Sequence, residues 1–116
     1  MMKRVFFCAV FALPAGVALA QSPAPAGDAA RGEALFMKDG CYQCHGTVGQ
    51  GSRGTGPRLA PVTLPLENFT QAVRKPTNVM PAYTPLVLPD AGLADIYAFV
   101  RGLPGPAKAE DVKILR

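Results

Sequence analysis

The chain has 116 residues, enough for one domain, and its 12 Lys and Arg against 8 Asp and Glu give a net charge of +4. The basic residues are scattered along the sequence, which excludes a nucleic-acid interface built on a clustered basic face. With no tryptophan, 12 prolines and 12 glycines, a domain this small has a marginal core, so something besides side chains is expected to fill the interior.

Residues 1–20 open with Met1-Met2-Lys3-Arg4, continue as an apolar run from Val5 to Leu13 and end on Ala18-Leu19-Ala20. A basic start, a short apolar stretch and a small-x-small site read as a cleaved secretory signal, with an uncleaved anchor as the weaker option. Cys8 lies inside that stretch, so the exported chain keeps Cys41 and Cys44 alone, and its net charge falls to +2 once Lys3 and Arg4 leave. Residues 21–27, rich in Pro and Ala, read as a flexible leader. Asp28 then offers an N-cap for a helix over Ala29 to Lys38, with Gly40 as its stop. On that helix, Gly32 one turn before Leu35 and Phe36 leaves room for another helix to approach closely.

Gly46 to Pro65 carries five glycines and three prolines and shows no sustained period. It reads as a long loop, and wrapping a bound group is a reason for one. Leu66, Phe69 and Val73 predict a short helix over Leu66 to Arg74, closed by Lys75-Pro76. A second proline-rich loop, Pro76 to Pro89, contains Met80. Asp90 is expected to cap a last helix, Ala91 to Gly102, with Leu93, Ile96, Tyr97, Val100 and Leu103 in one stripe. Residues 28–103 thus form the domain, and 104–116 a polar tail.

Cys41-Tyr42-Gln43-Cys44-His45 carries the chemistry. Two cysteines three positions apart fit a disulfide, a redox dithiol, half a zinc site or haem attachment. A thioredoxin-like dithiol needs a βαβ pattern, which the sequence lacks, and zinc needs four ligands where Cys41, Cys44 and the sole histidine supply three. A disulfide over so short a loop leaves His45 unexplained. Haem attachment uses every position: the two thiols, one helical turn apart, add to the vinyl groups, and the histidine that follows is carried beneath the iron as proximal ligand.

The chain resembles a class I c-type cytochrome of the short bacterial periplasmic kind. The likeness runs from Asp28 to about Leu103 and rests on CYQCH, on Thr55-Gly56-Pro57-Arg58-Leu59, and on Val73-Arg74 through Met80-Pro81-Ala82-Tyr83. It implies an all-α cytochrome c fold of three to four short helices and long loops around one covalently bound haem c. It further implies that Cys41 and Cys44 form the thioethers and that His45 and Met80 are the axial iron ligands. The Pro57 carbonyl would then accept the Nδ1 proton of His45. Met1 and Met2 belong to the signal and Met37 to the first helix, which leaves Met80 for the sixth position, although core filler is the usual role of a lone methionine. Asn78 is a weaker candidate for a haem propionate. Gly32 and Phe36 with Ile96 and Phe99 resemble the family's helix crossing. The family's propionate-contacting tryptophan is absent, and only 35 positions separate His45 from Met80.

The function expected from this resemblance is a periplasmic one-electron carrier, not an enzyme, meeting donor and acceptor proteins transiently. Lys38, Arg53, Arg58, Arg74 and Lys75 are candidates for a basic ring around the haem edge. The alternatives are a haem c subunit of a periplasmic dehydrogenase or oxidase complex, or a haem enzyme or sensor whose Met80 is displaceable.

Overall fold

The structure, a computed structural model, describes residues 26–115. The expected signal segment and most of the leader lie outside the described residues. Four helices follow in order: α1 (Ala29–Lys38), α2 (Cys41–His45), α3 (Leu66–Arg74) and α4 (Asp90–Gly102). Two single 3₁₀ turns, Ala109–Asp111 and Lys113–Leu115, lie in the tail. No strand occurs among the described residues, so the fold is all-α. None of the described helices is long and apolar enough to cross a membrane.

α1 begins where the sequence places it. Asp28 is extended, and its carboxylate accepts the Arg31 N–H at 2.9 Å, satisfying a donor that the helix start leaves free. The helix closes at Asp39, and Gly40, at φ +80°, makes the left-handed turn that starts α2 at once. α3 and α4 begin in another way, each behind a proline: Pro65 O accepts from Phe69 N at 3.0 Å, and Pro89 O from Leu93 N at 2.9 Å. Asp90 is therefore the first residue of α4 rather than its cap. Its carboxylate turns to Arg74 instead, a charged partner stronger than its own helix's N–H groups.

α1 crosses α4 to build the core. Gly32 is buried at the crossing, where a side chain would run into the backbone carbonyl of Asp95. Gly27, the last residue of the expected leader, meets the carbonyl of Ala94 in the same way. The rings of Phe36 and Phe99 pack tilted at 5.4 Å, as the helix-crossing resemblance implies. Phe36, Leu93 and Val100 are the largest fully buried side chains, and each contributes about 1.5–3 kcal/mol of burial. α3 adds Phe69 and Val73 from the side, and Leu88 closes the layer before α4.

One polar cluster is set into this crossing. Asp95, with an 8% exposed side chain, accepts from Asp28 N at 2.6 Å and from Arg31 Nε and Nη2 at 2.9 and 3.0 Å. The Arg31 hydrogen bond holds the Asp95 carboxyl below its usual range, and the same bond raises the guanidinium. The start of α1 is thereby tied to the middle of α4.

Candidate haem site

The CYQCH segment is short, yet it is held on several sides. Its five residues form α2, and Gly46 N returns to Tyr42 O at 2.8 Å. The loop that follows folds back over the helix through glycine turns. Gly51, at φ +62°, donates to His45 O at 2.8 Å and lies so close to Pro57 and Arg58 that a side chain would strike their backbone. Thr55 Oγ1 donates to Cys44 O at 2.8 Å.

The His45 ring is buried, and its Nδ1 lies 2.8 Å from Pro57 O. A carbonyl only accepts, so Nδ1 carries the proton and donates, and Nε2 keeps its lone pair for a metal. That is the contact the resemblance implies. Burial, with Asp39 nearby as the lesser cause, pushes the Cys41 thiol up to about 11. Asp39 Oδ2 is itself buried without a hydrogen-bond partner. Cys41 and Cys44 are not joined to one another, and Cys44 is exposed. Among the described residues, no group of three His, Cys, Asp or Glu side chains is placed to hold a metal ion, so the zinc alternative gains no further ligands.

Met80 faces the same space. A cavity of about 310 Å³ is lined by Cys41, His45, Pro57, Met80 and apolar side chains that include Phe69, Leu88 and Ile96. A second, of about 460 Å³, takes in Cys44, His45, Pro57, Asn78 and Met80, and a third takes in Cys41, Cys44, His45, Met80 and Tyr83. His45 and Met80 line all three, so the three adjoin around these two side chains and together are called the slot. The volumes suit a cofactor, the walls are largely apolar, and both thiols stand at the slot. A flat apolar macrocycle with a metal at its centre fits this donor set: two thiols for its edge, an imidazole nitrogen on one face and a thioether on the other.

Other expectations meet mixed outcomes. Arg58 lines the first cavity and Lys75 the second. Arg74 leaves the expected basic ring, because its side chain is 12% exposed and is engaged by Tyr83 O at 2.7 Å and Asp90 Oδ1 at 2.6 Å. Of the three tyrosines, Tyr83 reaches the slot and donates its hydroxyl to Asp39 O at 2.8 Å, while Tyr97 donates to Leu64 O. Burial raises the Tyr83 hydroxyl pKa and keeps it a donor. The roles of Thr55, Arg74 and Tyr83 are not readable from the sequence, since each depends on a carbonyl or carboxylate brought in by folding.

A family model described as cytochrome C oxidase, cbb3-type, subunit III matches residues 27–100. The chain belongs to this family. The family is one of c-type cytochromes, in agreement with the class I resemblance, and it implies haem c as the cofactor. No curated protein and no solved structure matches the chain. The matched span of this cbb3-type subunit III domain holds all four helices up to Val100 and every residue of the slot.

Proposed function

We propose that the chain is a periplasmic one-electron carrier that holds a single haem c. Cys41 and Cys44 would hold it through thioether bonds, and His45 and Met80 would supply ligands to its iron. The observation that carries this reading is that adjoining cavities, the first of them largely apolar, gather both cysteines, the His45 ring and Met80.

When bound, haem c supplies a one-electron couple between ferrous and ferric iron. The chain's own residues set the conditions. Pro57 O fixes the His45 tautomer and strengthens the imidazole as a donor. A thioether from Met80 favours the reduced state relative to a second imidazole. The apolar walls exclude water, and exposed Cys44 leaves one edge of the slot near the surface, where electrons would pass to a partner. With both His45 and Met80 bound, the iron would offer no open position to a substrate, so the proposed role is transfer and not turnover. Removal of residues 1–20 on export would place the protein in the periplasm.

The family description favours a second reading, a haem subunit within an oxidase or related redox complex. A redox titration followed by absorption, together with size-exclusion chromatography of native extract, tests both. The carrier reading expects a single one-electron transition, slow carbon monoxide binding to the reduced protein, and elution at the chain's own mass. Elution with a larger haem assembly supports the subunit reading, and rapid carbon monoxide binding at neutral pH contradicts the His45/Met80 assignment.

A further inference from the structure

Met80 packs against the core from a stretch whose backbone is hydrogen-bonded only at its two ends. Among the described residues, none from 76 to 82 donates or accepts a backbone–backbone hydrogen bond. Pro76 and Pro81 have no N–H to give. On the near side, α3 closes with Lys75 N on Gln71 O at 2.8 Å. On the far side, everything converges on Tyr83. Its N–H donates to Val73 O at 3.1 Å, its carbonyl accepts from Arg74 Nη1 at 2.7 Å, and its hydroxyl donates to Asp39 O at 2.8 Å.

Arg74 is well suited to its part. The guanidinium projects from the last turn of α3, its side chain is 12% exposed, and Nη2 is held by Asp90 Oδ1 at 2.6 Å at the start of α4. It therefore joins the end of α3, the end of the Met80 segment and the start of α4 through charge-assisted bonds, of which the one to Tyr83 O is partly buried and the one to Asp90 is exposed. The Tyr83 hydroxyl adds a fourth element, because Asp39 is the C-cap of α1, two residues before Cys41. One side chain thus spans from the Met80 segment to the backbone that presents the attachment cysteine.

We propose that Arg74 and Tyr83 form a latch that holds the Met80 segment closed over the slot and so determines how firmly Met80 stays on the iron. Both are positioning residues. The proposal rests on the reading of Met80 as an axial ligand. A segment without internal bonds opens locally at a lower cost than the whole fold, and the latch sets that cost. Without it, residues 76–82 swing free while α1 and α4 remain crossed.

The test uses wild-type holoprotein and the variants Arg74→Met, Arg74→Lys and Tyr83→Phe. Two signals are followed along a denaturant series: the near-infrared band of ferric methionine ligation, and helix content by circular dichroism. The band is expected to disappear at lower denaturant in Arg74→Met and Tyr83→Phe while helix content stays unchanged, with Arg74→Lys between them and wild type. Carbon monoxide association with the reduced protein should quicken about tenfold in Arg74→Met and about fivefold in Tyr83→Phe, matching loss of a charge-assisted and a neutral hydrogen bond. Should Arg74→Met fail to fold, Tyr83→Phe, which removes one oxygen atom, decides the matter. A wild-type band that the variants leave unshifted, or that moves only together with helix content, overturns the latch alone. A wild type without the band overturns the Met80 assignment and the latch with it.

Discussion

The two walls of the slot are built by opposite means. On the first wall, His45 stands on α2, which follows α1 directly after Gly40. Pro57 O holds its ring, Gly51 N holds its carbonyl, and Thr55 holds the carbonyl of the residue before it. On the other wall, Met80 packs against the core from residues 76–82, which make no backbone–backbone hydrogen bond, and the bonds lie with Tyr83 and Arg74 at the far end. The lesson is a division of labour: the side proposed to carry covalent attachment is tied down by several bonds, and the side proposed to tune the potential has few. A thioether is a weak ligand, so small changes in how its segment is held should change the site's chemistry while the fold stays intact.

Met80→Ala separates the walls most sharply. The near-infrared ligation band should vanish and carbon monoxide binding should accelerate by more than about tenfold, while the haem stays covalently attached and the helix content is kept. Loss of attachment in this variant would show the walls to be one unit. Gly32→Val attacks the foundation of the His45 wall, because a side chain there meets the Asp95 carbonyl. It should cost about 3 kcal/mol or more in chemical denaturation, with the methionine band and the helix signal lost together.

Asp95→Asn is expected to cost less, about 1–2 kcal/mol, because Arg31 is largely solvent-exposed and only the carboxylate end is buried. Its pH dependence has a definite sign. The Asp95 pKa is lowered in the fold, chiefly by the Arg31 hydrogen bond, so its stabilisation is fully present above the ordinary value of 3.8 and fades as pH falls through the lowered one. The gap between wild-type and Asp95→Asn denaturation midpoints should therefore be constant above about pH 5 and shrink in more acidic buffer. Thr55→Val, which removes the bonds of Thr55 Oγ1 to Cys44 O and to Ser52 Oγ, should cost about 0.5–1 kcal/mol and leave the methionine band unchanged.

Much of the rigid wall is legible in the sequence because its signals are local. Asp28 caps α1 and Gly40 stops it, and CYQCH ends twelve residues before the proline whose carbonyl its histidine meets. α4 starts one residue earlier than its apparent cap, since Pro89 already sets the helix entry and Asp90 is drawn to Arg74. The rest depends on distant partners. Nothing in the sequence marks Asp95 as buried; the close approach at Gly27 and Gly32 brings Arg31 and Asp28 across α4 to it. Arg74 likewise reads as a surface cation, because its partners are a carbonyl nine residues on and a carboxylate sixteen residues on. Charge type is written in the sequence, whereas exposure is decided by the crossing of the helices.

Iron K-edge X-ray absorption of the purified holoprotein, oxidised and reduced, tests the central claim most directly. The account predicts one sulfur beside the nitrogen ligands in both states, lost in Met80→Ala and kept in Thr55→Val. A wild-type iron with nitrogen or oxygen ligands alone would contradict it.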